Sequence, residues 1–255
     1  MTMNKWVDRA APVLTFVTLL VLWEAVCRIF AIPSFLLPSP SSIVIAAFEV
    51  SADQWWSHLS ATLEVTLIGF IISILISLPI AIALTNSRFL SRTLLPILVV
   101  VQSTPIVAIA PIIVVTLGAG LLPRVVITCL ITLFPLVIST ATGLVATPAE
   151  LIELSRSLRA SRAREYTQIR LPFAVPYIFS ALKVGITLSV IGAVIAEFVA
   201  AERGLGYLIL YSTSSFKVPQ AFAALAVLVT ASLLLFHLVV VVQRKLFPWS
   251  IPASG

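Results

Sequence analysis

The sequence predicts an all-α membrane protein of six transmembrane helices, and three observations carry that prediction. Of its 255 residues 60% are apolar and only 10% charged, with a mean hydropathy of +1.14, far outside the range of soluble globular domains. Apolar runs recur at roughly 10–31, 59–85, 93–118, 124–146, 174–199 and 219–242, each with the ~20 residues that cross a hydrocarbon core. The basic residues also sort by loop. Lys5, Arg9, Arg88, Arg92, Arg244, Lys245 and the five arginines from Arg156 to Arg170 fall on one side, and Arg28, Arg124, Arg203 and Lys217 on the other. Eleven against four places both termini in the cytoplasm by the positive-inside rule. The spans leave no room for a soluble domain, so 1–255 is one transmembrane domain. A net charge of +6 distributed between spans is a topology signal and excludes nucleic acid as a partner.

The first run follows a basic start, as in a signal peptide, but it is too long and lacks a small-x-small cleavage site, so it reads as an uncleaved span. Before the second run, Ser39 and Pro40 have the pattern of an N-cap and first residue of a short helix. Trp55 and Trp56 suit a bilayer surface. Prolines 79, 96, 105, 111 and 135 remove backbone donors within spans, where lipid offers no substitute. The third run is the most interrupted: "VVVQSTPIVAIAP" sets Gln102, Ser103, Thr104 and Pro105 near mid-bilayer, and a polar, proline-broken helix at that depth marks a translocation route. Single Ser and Thr residues there can equally bond their own backbone.

The least membrane-like stretch runs from 147 to 172. Thr147 as N-cap, Pro148 at the first helical position and Glu150 three residues past the cap form a capping box. Leu151, Leu154 and Leu158 then recur on one helical face, with Glu150 and Glu153 near the positive end of the dipole. This predicts a short amphipathic helix to about Arg159, and a second one capped by Ser161 and ending before Leu171 and Pro172. A topology anchor needs arginines alone, whereas this is a peg whose leucines must bury, against either a docking protein or lipid headgroups.

That segment, "ELSRSLRASRAREYTQIRLPFAVPYIFSALKVGI", resembles the EAA loop of ABC-importer permeases. Glu153, Leu154 and Ser155 stand at its first three positions and Leu171 and Pro172 at its end. "LPSPSSI", "TPIVAIAPIIVVTLGAGLLPRV" and "VIAEFVAAERGLGYLI" extend the likeness over nearly the whole chain, toward the permeases serving nitrate, taurine, alkanesulfonates, bicarbonate and thiamine-precursor pyrimidines. The resemblance implies a type I ABC importer permease fold in the bacterial inner membrane, with a cytoplasmic coupling helix between spans four and five. The coupling residues it implies are Glu150, Glu153, Leu154, Ser155, Ser157, Leu158, Arg159, Ala160 and Ser161. Its implied partners are two ATP-binding cassette subunits, a second permease copy, a periplasmic solute-binding protein and membrane lipid. ATP and Mg would be used by the partner, since this chain has no phosphate-binding loop and no catalytic residue or cofactor site of its own. One departure stands out: Arg159 falls where the family has a glycine, which predicts either a turn closer to helical geometry or a direct contact with the partner.

Ionisable residues inside spans are functional candidates. Glu197 matches a glutamate common in the family and is grouped with Gln102–Pro105 on the path. It lines the outer gate or binds amides of the following "RGLGY" loop, the structural role being favoured because a carboxylate repels anions. Gly204 and Gly206 suggest a tight turn there. Lys183 can snorkel, Glu64 can reach water, and Glu24 has no assigned role. Cys27, Cys129, His58 and His237 lie apart, with no metal spacing. Two rivals are weighed. An ion-gradient transporter or channel would show a relay of intramembrane acids, and an intramembrane enzyme would show HExxH, paired aspartates or a Ser with a nearby His; none is present.

Overall fold

The computed structural model describes residues 5–251, with side chains from residue 11 onward, and every regular element among them is helical. Helix α1 (Lys5–Ile29) is peripheral: Val13, Leu14, Phe16 and Leu19 are exposed, as apolar side chains facing lipid are. Helix α2 (Pro40–Glu49) starts as predicted, with the Ser39 hydroxyl accepting from the Ser42 amide at 3.3 Å and Pro40 in the first turn. Helix α3 (Ala52–Asn86) begins seven residues before the predicted span. Ser51 and Gln54 form a reciprocal capping box that carries the helix beyond its apolar stretch.

The third span is broken rather than merely bent. Helices α4 (Arg88–Ser103) and α5 (Ile106–Leu117) meet at 97°, because Pro105 can donate no helical hydrogen bond and drives Thr104 out of helical geometry. Among the described residues five helices are long and apolar enough to cross a membrane, and the bent pair makes six if its halves are one span. Helix α6 (Leu121–Val145) follows, then the short α7 (Ala149–Ser157).

The second amphipathic helix does not stop at Leu171 and Pro172. Helix α8 (Arg162–Arg164), capped by the Ser161 hydroxyl, runs through a π-turn at Glu165–Arg170 into α9 (Leu171–Ala200) as one continuous rod. In the widened turn the Leu171 amide bonds the Tyr166 carbonyl five residues back, and this local change of pitch accommodates a proline that would otherwise clash. Helix α10 (Leu205–Ser214) stands where the sequence suggested a tight turn, and α11 (Val218–Leu246) closes the bundle.

The core is the α3–α6–α9 triplet, held by small and hydroxylated residues as membrane helices are. A Cβ on Gly192 would lie 2.8 Å from the Thr128 Cα, so only glycine lets α9 and α6 approach this closely. Buried Ser73 and Thr132 share a 2.6 Å hydrogen bond between α3 and α6. Near the arginine-rich end, Ala81, Leu144 and Ala174 are fully buried together, and at the other end Val190, Leu205 and Leu228 tie α10 to α9 and α11.

Candidate functional site

Helix α7 hangs from the arginine-rich end of the bundle. The expected capping box does not form. The Thr147 side chain is buried and donates to the Leu144 carbonyl at 3.4 Å, so α7 starts at Ala149 behind Pro148 with no side-chain cap. The hydroxyl instead serves a carbonyl that α6 leaves open at its end. The far end stops sharply at Leu158. Arg159 has φ +52°, its amide bonds the Arg156 carbonyl at 2.9 Å, and the Ala160 amide reaches the Ser155 carbonyl at 3.0 Å. That pair of bonds is a Schellman stop. The left-handed turn is therefore kept without glycine, which corrects the expectation of a turn closer to helical geometry and leaves the Arg159 side chain exposed.

Of the leucine stripe, Leu151 is half-buried while Leu154 is 55% and Leu158 73% exposed. Ser155 faces inward and is buried, whereas Glu150, Glu153 and Ser157 face out. The peg is seated by a cluster that the sequence reading missed. Glu165, 7% exposed, holds Arg170 at 2.7 Å and lies 3.8 Å from Arg156 of α7. Arg170 also donates to the Leu144 carbonyl and sits 5.1 Å above the Tyr166 ring, whose hydroxyl donates to Asn86 at 2.7 Å. Positions 165 and 170 are five apart, not neighbours on an α-helix, and only the π-turn brings them together.

At the break in the third span, Ser103 and Thr104 use their hydroxyls on their own helix, donating to the Val99 and Val100 carbonyls at 2.8 and 2.9 Å. The Gln102 carboxamide has no hydrogen-bond partner among the described residues and lines two cavities. One, of about 300 Å³, lies against the break, Ile131 of α6 and Ile195 of α9; the other, of about 340 Å³, is bounded by Pro135, Ser139 and Ser180. Because Pro135 has no N–H, the Ile131 carbonyl lacks its helical donor where the two cavities adjoin, and irregular backbone is tolerated at membrane depth where it lines a cavity. A third cavity, of about 750 Å³, shares Ile138 with the second and runs to Arg88 and Asn86.

Glu197 does not line any of these cavities. Its carboxylate, 1% exposed, accepts from the Gly206 amide at 2.7 Å, and its other oxygen has no partner among the described residues. Two α3 side chains complete the arrangement: Thr62 accepts from the Leu205 amide at 2.8 Å and His58 Nδ1 from the Gly204 amide at 3.2 Å. Three successive amides at the start of α10 thus end on three different side chains. Gly204, at φ +135°, is a turn glycine as expected, but Gly206 is helical and its missing Cβ makes room for the Glu197 carboxylate. Glu24 does the same for α2. It accepts from the Ser41 amide at 3.0 Å and hydroxyl at 2.7 Å while pairing with Arg28 at 2.6 Å. Two of the three in-span glutamates, Glu24 and Glu197, therefore serve the positive end of the short helix that follows their span. Glu64 is exposed, Lys183 half-buried, and no group of metal-ligating side chains occurs among the described residues.

Comparison with known proteins agrees with this architecture. Residues 73–250 match the family model described as "binding-protein-dependent transport system inner membrane component". The chain is 36% identical to the riboflavin transport system permease protein RibX of Chloroflexus aurantiacus, over 96% of this chain and 91% of that one. It is 32% identical to the formylaminopyrimidine transport permease protein ThiX of Halalkalibacterium halodurans, over 97% and 98%. Among solved structures, an inward-facing form of the MetNI methionine ABC transporter superposes with a TM-score of 0.69 at 21% identity, covering 77% of this chain and 99% of that one; that likeness concerns the fold.

Proposed function

The chain belongs to the family of binding-protein-dependent transport inner-membrane components, the permease subunits of ABC importers, and on that premise we propose that α7 is its coupling helix and the cavities along α4 its solute path. In this reading a separate ATP-binding subunit grips α7 and supplies ATP and Mg chemistry, while this chain catalyses nothing. Two permeases and two ATPases form the transporter in the bacterial inner membrane, with both termini and α7 in the cytoplasm. A periplasmic binding protein delivers a small polar or anionic solute of the nitrate, taurine, sulfonate, bicarbonate or thiamine-precursor type. Closure of the ATPases on ATP displaces the two pegs, and the spans rock as rigid bodies to switch access.

The observation that carries this is a helix with a defined stop, seated on a buried ion pair, that leaves Leu154 and Leu158 in the open. A nine-residue helix is not stable alone in water, and two bare leucines on a fixed helix have no purpose within the chain. A gradient-driven transporter is disfavoured by the same structure, because Glu24 and Glu197 are already engaged as helix-terminal acceptors and form no relay. The test is replacement of Glu153 by Lys or Leu158 by Asp. Both variants should insert into the membrane normally and lose transport, and normal uptake by either would refute the coupling role.

A further inference from the structure

The three cavities form an ordered series. Along the broken third span they are lined by residues 101–106, by Gln102 alone and by residues 88–95; along α6 they pass from Leu130 through Pro135 to Ala146; along α9, from Ile195 to Ser180 in the first two. Each shares a residue with the next, Gln102 and then Ile138. Their polar groups are amides and hydroxyls, including Gln102, Ser139, Ser180, Ser91 and Asn86, and among the described residues the only charged side chain lining any of them is Arg88 at the arginine-rich mouth. Among the described residues no carboxylate lines the series.

Arg88 occupies an unfavourable place for a cation. It is the first residue of α4, whose first turn contains no acid, so its guanidinium adds to the positive end of the helix dipole instead of offsetting it. Among the described residues no carboxylate pairs with it. A topology anchor would serve from elsewhere at this end of α4, as Arg92 does without lining the cavity. We propose that Arg88 is a charge-selecting residue: with the α4 N-terminus it makes the mouth of the path positive, so that the path takes neutral or anionic solutes and rejects cations. The proposal rests on the cavities being the solute path. A mouth with one sign of charge and apolar walls focuses its field and concentrates ions of the opposite sign.

The test does not require the natural solute. In the full transporter complex in neutral detergent, with Cys27 and Cys129 replaced by Ala, Ser139→Cys places a thiol one cavity deeper than Arg88. Its modification rates by methanethiosulfonates bearing a sulfonate and a trimethylammonium group are compared, each normalised to a free thiol, without nucleotide and with ATP and vanadate. The anionic reagent should be preferred in the state that opens this mouth. Arg88→Gln should lower that preference by about 10-fold, the low end of electrostatic focusing, whereas Arg92→Gln should leave it unchanged. If both reagents react and Arg88→Gln does not move their ratio, or Arg92→Gln moves it equally, the role of Arg88 is overturned while the path stands. If neither reagent reacts in either state, the path itself is refuted and this proposal falls with it.

Discussion

Helices α7 and α10 invite comparison: nine and ten residues long, each outside the spans, each following one, yet fastened in opposite ways. The first turn of α10 is pinned by His58, Thr62 and Glu197, and its Leu205 and Leu208 are buried. The start of α7 has no side-chain cap; the helix is rooted through Glu165 and Arg170 and presents two of its leucines outward. The first turn and the buried leucines of α10 are fastened to its own chain, whereas α7 leaves Leu154 and Leu158 in the open. On the proposed coupling role, the difference separates a helix that moves with the body from one left available to be held from outside.

The largest effect should come from filling the open side of that contrast with charge. Burial of two leucines contributes roughly 1.5–3 kcal/mol each, so Leu154→Asp with Leu158→Asp should weaken association with the ATPase by roughly 10²–10⁴-fold. The Tm of the isolated permease should not change, because neither side chain packs within it. A matching fall in Tm would mean that α7 is part of the body after all.

The reciprocal experiment is Gly204→Ala. The new Cβ would run into the Glu197 carboxylate at a residue with φ +135°, combining backbone strain with overpacking, roughly 2–6 kcal/mol together. Tm should drop by roughly 5–20 °C, and limited proteolysis should nick the chain near Arg203. Wild-type stability would show that α10 is not clamped. A smaller loss is expected from Glu197→Ala, which strands the Gly206 amide at a cost of about 1–3 kcal/mol, with Glu197→Gln recovering part of it because an amide oxygen still accepts.

These contacts also explain what could be read from the sequence. The spans, the start of α2 and the break at Pro105 are written in runs of about twenty apolar residues or in adjacent Ser–Pro and Thr–Pro pairs, so local rules find them. Helix α10 is not written locally: the groups that satisfy its first amides include His58 and Thr62, 146 and 143 residues away, and its glycine-flanked start resembles a loop. Glu165 and Arg170 escaped because their spacing suits a π-turn, and Thr147 because a carbonyl behind it competed for its hydroxyl. Of the polar cluster at the break, the sequence located the break but could not tell that Ser103 and Thr104 are self-satisfied and Gln102 is not.

The smallest effect probes the residue that ends α7. Arg159 adopts the left-handed conformation that ends α7, at a strain of about 1–3 kcal/mol for a non-glycine residue, while glycine there would add about 0.5–1 kcal/mol of backbone entropy to the unfolded chain. Arg159→Gly should therefore leave the permease slightly more stable, with Tm higher by a few degrees at most, roughly 1–3 °C. If the guanidinium serves only to be solvated, association with the ATPase should be unchanged or improved by the better-formed stop. A loss of affinity at unchanged or higher Tm would instead assign the strain a purpose: the chain would be holding an arginine in a glycine's conformation because its side chain is part of the grip.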